Sequence, residues 1–285
     1  MLTQLSPDAR RTPLRRTASP RQEYQEFLLE RIEEYKNSLT REELLKMGDE
    51  AVRELEASAH GQYLLTEVLL LEHVDRIIAR RLRLPTFRRW SHQHRALRAA
   101  QREPTRWGLS TTHPLVAHAR RLEPGDRILV VGASALAEAL FLAAYDVDVF
   151  LVDQDLHAVE GAEQRAVTEQ LGARFQALVV RFGRWLPDVL PDLVVLDPAV
   201  LASARGRDRL ALLRDLQART RPGGIHFVLP AGGGPQVLSF AEGALHTTYD
   251  QAGWEVERRR SQRLNGGFIA TKPPRQTDTA ARVSE

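Results

Sequence analysis

Three positions in this sequence combine residue type and spacing in a way that chemistry can use. Gly132 closes the apolar run "ILVV" and leads without a break into "ASALAEAL", the pattern of a strand, a tight turn and a helix start. Asp153 closes a second apolar run 21 residues later. A carboxylate there can accept hydrogen bonds from both hydroxyls of a ribose. Asp197, followed by Pro198, closes the run "DLVVLDP". Ala133, Ser134 and Gln154 adjoin the first two positions and are candidates with them. A glycine turn followed by an acid at the end of the next strand suits an adenosine-type cofactor, and both nicotinamide dinucleotides and S-adenosyl-L-methionine meet that description. A dinucleotide lays its pyrophosphate against backbone amides at the helix start, which is why its loop carries several glycines. In "GASALA" Ser134 and Leu136 stand where further glycines are expected, and a side chain at Ser134 hinders that approach.

Residues of this kind must be held at strand ends, and the elements that would hold them follow in order after "THPLVAHARRLEPGD". "RILVVG" reads as a buried strand, "SALAEALFLAAYD" as a helix, "VDVFLVDQD" as a second strand and "LHAVEGAEQRAVTEQLG" as a second helix. "FQALVVRFG" and "PDLVVLDP" read as strands three and four, "RDRLALLRDLQARTRPGG" as a helix and "IHFVLP" as strand five. Apolar strands alternating with helices predict a parallel sheet covered on both faces. Ligands of such a sheet bind beyond the carboxyl ends of its strands, near the point where strand order reverses. The segment "GALHTTYDQAGWEVERRRSQRLNGGFIATKP" reads as helix, strand, loop and strand. Two strands with no helix between them predict an antiparallel pair that closes the sheet.

Upstream, the pattern is helical with no strand signal. Phe27, Leu28, Ile32 and Tyr35 share a helical face, and Thr40 and Glu43 have the spacing of a capping box. A third helix, about Tyr63 to Leu82, repeats Leu64, Val68, Leu71, Val74 and Ile78 before Pro85 interrupts it. Faces this regular are expected to be covered, so the region serves either as a lid that shapes an acceptor pocket or as a contact in a homodimer. The fold class expected is α/β, a doubly wound and mostly parallel sheet with a closing antiparallel pair, preceded by an all-α domain. Its divisions are a disordered tail over 1–20, a helical domain over 21–110, a Rossmann-like domain over 111–273 and a second tail over 274–285.

The order strand four "DLVVLDP", helix, "RPGG", strand five, helix and closing strand pair resembles the class I S-adenosylmethionine-dependent methyltransferases, over about Leu115 to Lys272. The resemblance puts the family's glycine loop on Val130 to Leu136, where Gly132 is retained, Val130 replaces the usual acid, and Ser134 and Leu136 replace glycines. It puts the ribose-binding acid on Asp153 and the methyl-facing position of strand four on Asp197, which is also the candidate catalytic residue. The adenine contact falls near Arg181 to Gly183, so on Phe182 and Gly183, with no carboxylate in "RFGR". The implied activity is methyl transfer to an unidentified acceptor, in which catalysis is mainly alignment and exclusion of water. Two alternatives keep the cofactor: a non-catalytic scaffold or sensor with a degenerate loop, and an aminocarboxypropyl transferase loosely similar to nicotianamine synthases. A nicotinamide-dependent dehydrogenase ranks last, because of Ser134.

Composition narrows the classes. The 285 residues are 43% hydrophobic and 27% charged, as in a globular protein with room for a core. The absence of cysteine removes disulfides, thiolate metal sites and cysteine nucleophiles. The most apolar helical stretch contains Glu67, Glu72 and Asp75, which argues for a buried helix and against a membrane span. No apolar stretch with a small-residue cleavage site follows the N-terminal arginines, so a cytoplasmic protein is expected. The 40 basic residues include only three lysines (Lys36, Lys46 and Lys272). Ten of the arginines fall between Arg76 and Arg106, with His92, His94, Phe87, Trp90 and Trp107 among or beside them and Glu103 as the one acid. That segment reads either as a nucleic-acid surface or as a solvated helix face in an arginine-biased sequence. The second is preferred here, as no recognised nucleic-acid module accompanies it, and a small-molecule acceptor is preferred with it. His92 and His94 lack a third ligand, so no metal is expected.

Overall fold

The computed structural model describes residues 19–58, 67–203, 206–230, 245–257 and 267–274. Nearly all of both expected tails, the start of the third helix before Glu67 and the loop between the closing strands lie outside these residues. The chain divides into two compact units, residues 15–97 and residues 98–285.

The first unit is helical: α1 (Pro20–Ser38), α2 (Arg41–Ser58), α3 (Glu67–Arg81) and most of α4 (Phe87–Gln101), inside which the division falls. The capping box at Thr40 forms as expected. The Glu43 carboxylate accepts from the Thr40 amide at 2.7 Å, and the Thr40 hydroxyl accepts from the Glu43 amide at 3.3 Å. A second box, Ser19 with Gln22, starts α1. The core consists of Ile32, Met47, Ala51, Ile77 and Ile78, flanked by Tyr35, Leu70 and Val74. This corrects the expected stripe of α3: Val68 and Leu71 are exposed, and the buried face runs through Leu70, His73, Val74, Ile77 and Ile78. "EVLLLEHV" is apolar on nearly all sides, so helical spacing admits two stripes, and packing against α2 selects one.

The second unit is built on β1 (Arg127–Val131), β2 (Asp148–Asp153), β3 (Phe175–Val179), β4 (Leu193–Leu196), β5 (Ile225–Val228), β6 (Glu255–Glu257) and β7 (Phe268–Thr271). They form one sheet in the order β3-β2-β1-β4-β5-β7-β6. β1 to β5 are parallel, and β7 runs antiparallel to both β5 and β6. This is the expected doubly wound sheet with its closing antiparallel pair. Helices α5 (Pro114–Ala119), α6 (Leu136–Ala143), α7 (Leu156–Thr168), α8 (Pro198–Ser203), α9 (Gly206–Arg219) and α10 (residues 245–251) flank it.

Side-chain alternation sorts each strand onto two cores. Ile128, Val130, Val149, Leu151, Val195 and Phe227 pack with α6 and α7 on one face. Leu129, Val131, Val194, Leu196 and Val228 pack with Leu212, Leu216 and Tyr249 on the other. Because both faces are buried, these strands read as unbroken apolar runs.

Candidate functional site

Strand order reverses between β1 and β4, so the crevice for a ligand lies outside their carboxyl ends. Val131 and Leu196 are register partners there, which sets Gly132 and Asp197 side by side. Val131 also pairs with Val152, so Asp153 stands on the other flank of Gly132. Backbone bonds fix this row: the Gly132 amide donates to the Val152 carbonyl at 2.9 Å, and the Asp197 amide to the Val131 carbonyl at 3.0 Å.

Gly132 is required by its geometry. Its φ of 107° is a conformation that side chains rarely adopt, and a Cβ there would lie 2.8 Å from Val200 Cγ2 and 3.0 Å from Asp197 Cβ. Ala133 to Ala135 then make one turn of 3-10 helix before α6 begins.

Asp153 is tied to that loop. One carboxylate oxygen accepts from the Ala133 amide at 2.6 Å, and the other from the Asp155 amide at 3.0 Å. Each oxygen keeps a second lone pair, and the side chain is half-buried. Gln154 beside it is exposed.

Asp197 is buried, and each of its oxygens accepts one hydrogen bond. The Ser134 hydroxyl donates to its Oδ2 in a very short contact, and the Ala199 amide donates to its Oδ1 at 2.8 Å, which holds the start of α8. One turn beyond Ser134, Glu138 projects from the first turn of α6. Burial raises the pKa of this carboxyl above the ordinary value, and the nearby charge of Asp197 adds to the shift. Nothing in the sequence singled out Glu138, because its nearness to Asp197 is a tertiary contact.

The two remaining candidates lie beyond β3. Phe182 is 4% exposed and sits in the core with Leu186, Val200 and Leu201. Gly183, at φ 75°, packs so closely on α9 that a Cβ would lie 2.6 Å from the Asp208 carbonyl oxygen. His113 caps α5, its ring accepting from the Leu115 amide, and burial lowers its pKa.

For an adenosine-type cofactor, the residues present fit in the part nearest β1 and β2. Asp153 offers free lone pairs at a strand end, and the turn at Gly132 is held by the same carboxylate. Among the described residues no group of three acids or histidines could hold a metal ion, and no helix is long and apolar enough to cross a membrane.

No family model and no curated protein matches the chain. Solved structures similar to it include an S-adenosylmethionine-dependent methyltransferase from Methanosarcina mazei at 15% identity, covering 57% of this chain and 98% of that one with a TM-score of 0.44. A TehB-like methyltransferase from Corynebacterium glutamicum matches at 17% identity over 65% and 95%, also with a TM-score of 0.44. One from Aquifex aeolicus matches at 15% over 55% and 88%, again with a TM-score of 0.44. The order and direction of its own strands, rather than these distant likenesses, define the methyltransferase-like Rossmann fold of this chain.

Proposed function

We propose that this chain binds S-adenosyl-L-methionine beyond the ends of β1 and β2 and transfers its methyl group to a small-molecule acceptor near Asp197. The observation that carries the reading is the pairing of Asp153 with the turn at Gly132, at the switch point of a sheet of this order. Asp153 would hold the ribose, and the loop from Gly132 to Ser134 would underlie the methionine part. When bound, the cofactor supplies an activated methyl on a cationic sulfonium. Asp153 and Asp197 stand on the two flanks of Gly132, and carboxylates there favour a cation. What the protein adds is alignment and exclusion of water.

A second reading is favoured by one observation. Asp197 is 8% exposed and each of its oxygens already accepts an internal hydrogen bond, so it is less open to an acceptor than the half-buried Asp153. With Asp197 given over to holding Ser134 and the start of α8, the chain would bind the cofactor as a scaffold or sensor.

Calorimetric titration with S-adenosylmethionine, S-adenosylhomocysteine and NAD tests the binding. Saturable heat with the first two and none with NAD is expected. Asp153→Ala should weaken both by at least about tenfold, since a hydrogen bond to a charged group contributes roughly 1.5–3 kcal/mol. Unchanged affinity would overturn the ribose assignment. Coproduct analysis then separates the chemistries: S-adenosylhomocysteine for methylation, methylthioadenosine for aminocarboxypropyl transfer, and neither for a non-catalytic binder.

A further inference from the structure

The arginines between Arg76 and Arg106 do not form one class. Arg80 and Arg81 are paired with Glu54 and Glu50 of α2. Arg102 and Arg106 are held in the sheet unit by Asp146 and Glu169, and Arg98 donates to the Gln170 carbonyl at 2.9 Å. These five are structural. Arg88, Arg89 and Arg95 are different: all are exposed on α4, and among the described residues none meets a carboxylate. Among the described residues, Arg95 bonds to Ser91 of its own helix alone. With Thr86, His92 and Gln93 they line one open pocket of about 550 Å³.

Charge in the helical unit is segregated to match. Residues 20–75 carry 14 carboxylates against six lysines and arginines, whereas residues 76–97 carry seven arginines and no carboxylate. A sequence that merely prefers arginine to lysine would intersperse the two signs. We infer that the exposed face of α4 from Thr86 to Arg95 is a docking surface for a nucleic-acid strand, contacted through its phosphates.

Length and chemistry agree with that partner. Ten residues of helix span about 14 Å, which faces roughly four phosphates of one strand. Guanidinium groups bind phosphate oxygens in bidentate fashion. A lipid surface is a poorer fit, because a membrane-bound basic helix needs a free apolar side. The apolar side of α4 is committed: Trp90 is 6% exposed and packs on Tyr24, Phe27 and Phe87. A second copy of the chain is also a poorer fit. Many of the acids it would present already hold cations, as Glu33 and Asp75 hold Lys36, Glu34 holds Arg31, and Glu42 holds Lys46.

The test is fluorescence anisotropy of a short single-stranded RNA with the full-length protein, at salt between about 50 and 200 mM, beside the Arg88→Ala/Arg89→Ala variant. Three phosphate contacts predict a slope of log K against log salt of roughly −2, and the variant should reduce its magnitude by about 1.4. A circular-dichroism melt of the variant confirms that α4 still folds. Absence of binding at low salt, or a slope unmoved by the substitutions, overturns the inference. So does binding to phosphatidylserine vesicles in place of RNA, or a low-salt dimer that the variant abolishes while RNA stays unbound. Cofactor titration of the same variant is expected to match the parent, so failure here is distinguishable from failure of the methyltransferase reading.

Discussion

His226 makes the second unit sensitive to acid in a way that can be measured. It lies on β5, completely buried, with Nε2 2.7 Å from Thr220 Oγ1 and Nδ1 2.6 Å from the Tyr249 hydroxyl. The Thr220 hydroxyl donates its proton to the Leu216 carbonyl, so toward His226 its oxygen accepts. The ring therefore carries its proton on Nε2 and accepts from Tyr249 at Nδ1, which satisfies a neutral imidazole completely. Burial lowers its pKa to about 3, helped by the charge of Lys272, and raises that of Tyr249. Between pH 6.5 and 3 the unfolded chain binds a proton that the folded chain refuses. The stability that depends on a neutral His226 is complete above pH 6.5 and declines as pH falls toward 3. At about 1.4 kcal/mol per pH unit the whole decline is roughly 5 kcal/mol, with about 2 kcal/mol lost by pH 5. Urea unfolding of the parent and of His226→Gln across pH 7.5 to 4.5 isolates this effect, because the other titrating groups are common to both. Glutamine can donate to Thr220 and accept from Tyr249, but it cannot take up the proton. The variant should be less stable at pH 7.5 by roughly 1–3 kcal/mol, and the gap should close by about 2 kcal/mol at pH 5. Parallel stability curves would refute the buried neutral histidine.

Two substitutions at the candidate site follow from its geometry. Gly132→Ala places a Cβ against Val200 and Asp197 at a strained φ, and should cost roughly 2–5 kcal/mol in urea unfolding; a loss below about 1 kcal/mol would mean that the turn is looser than described. Ser134→Ala removes the hydroxyl bonded to Asp197 and should cost about 1–2 kcal/mol by the same assay, with no measurable change taken as proof that this bond does not form in solution.

Much of the fold was legible because buried parallel strands are continuous apolar runs bounded by turn residues. The order of those strands across the sheet is a different matter. Nothing local to β4 says that it lies beside β1, and that order is read from the structure alone. Gly132, Asp153 and Asp197 could be picked out because their position at strand ends is a one-dimensional property. Their partners could not: Ser134 meets Asp197, and Val200 approaches Gly132, across more than 60 residues of sequence. The same limit applied to the arginine segment, whose residues look alike in sequence. Tertiary contacts separate them into structural ions and a free face.

The single glycine of the turn after β1 separates what the fold needs there from what a ligand would need. In the turn from Gly132 to Leu136 only Gly132 has a positive φ. The backbone therefore does not need glycine at 134 or 136, and such residues would serve only to let a ligand approach. Ser134 uses its side chain on the β4 flank, with Asp197, while the β2 flank keeps Asp153 bonded to the loop. The two flanks thus hold the turn through different residues, Ala133 on one and Ser134 on the other. Loss of Asp153 should act on cofactor affinity, and loss of the Ser134 hydroxyl should act on what Asp197 can do for an acceptor. If Ser134→Ala leaves cofactor affinity intact and raises turnover, Ser134 restrains an active site. If affinity is intact and turnover is absent in both proteins, the β4 flank has become structural and the chain keeps only the binding half of a methyltransferase.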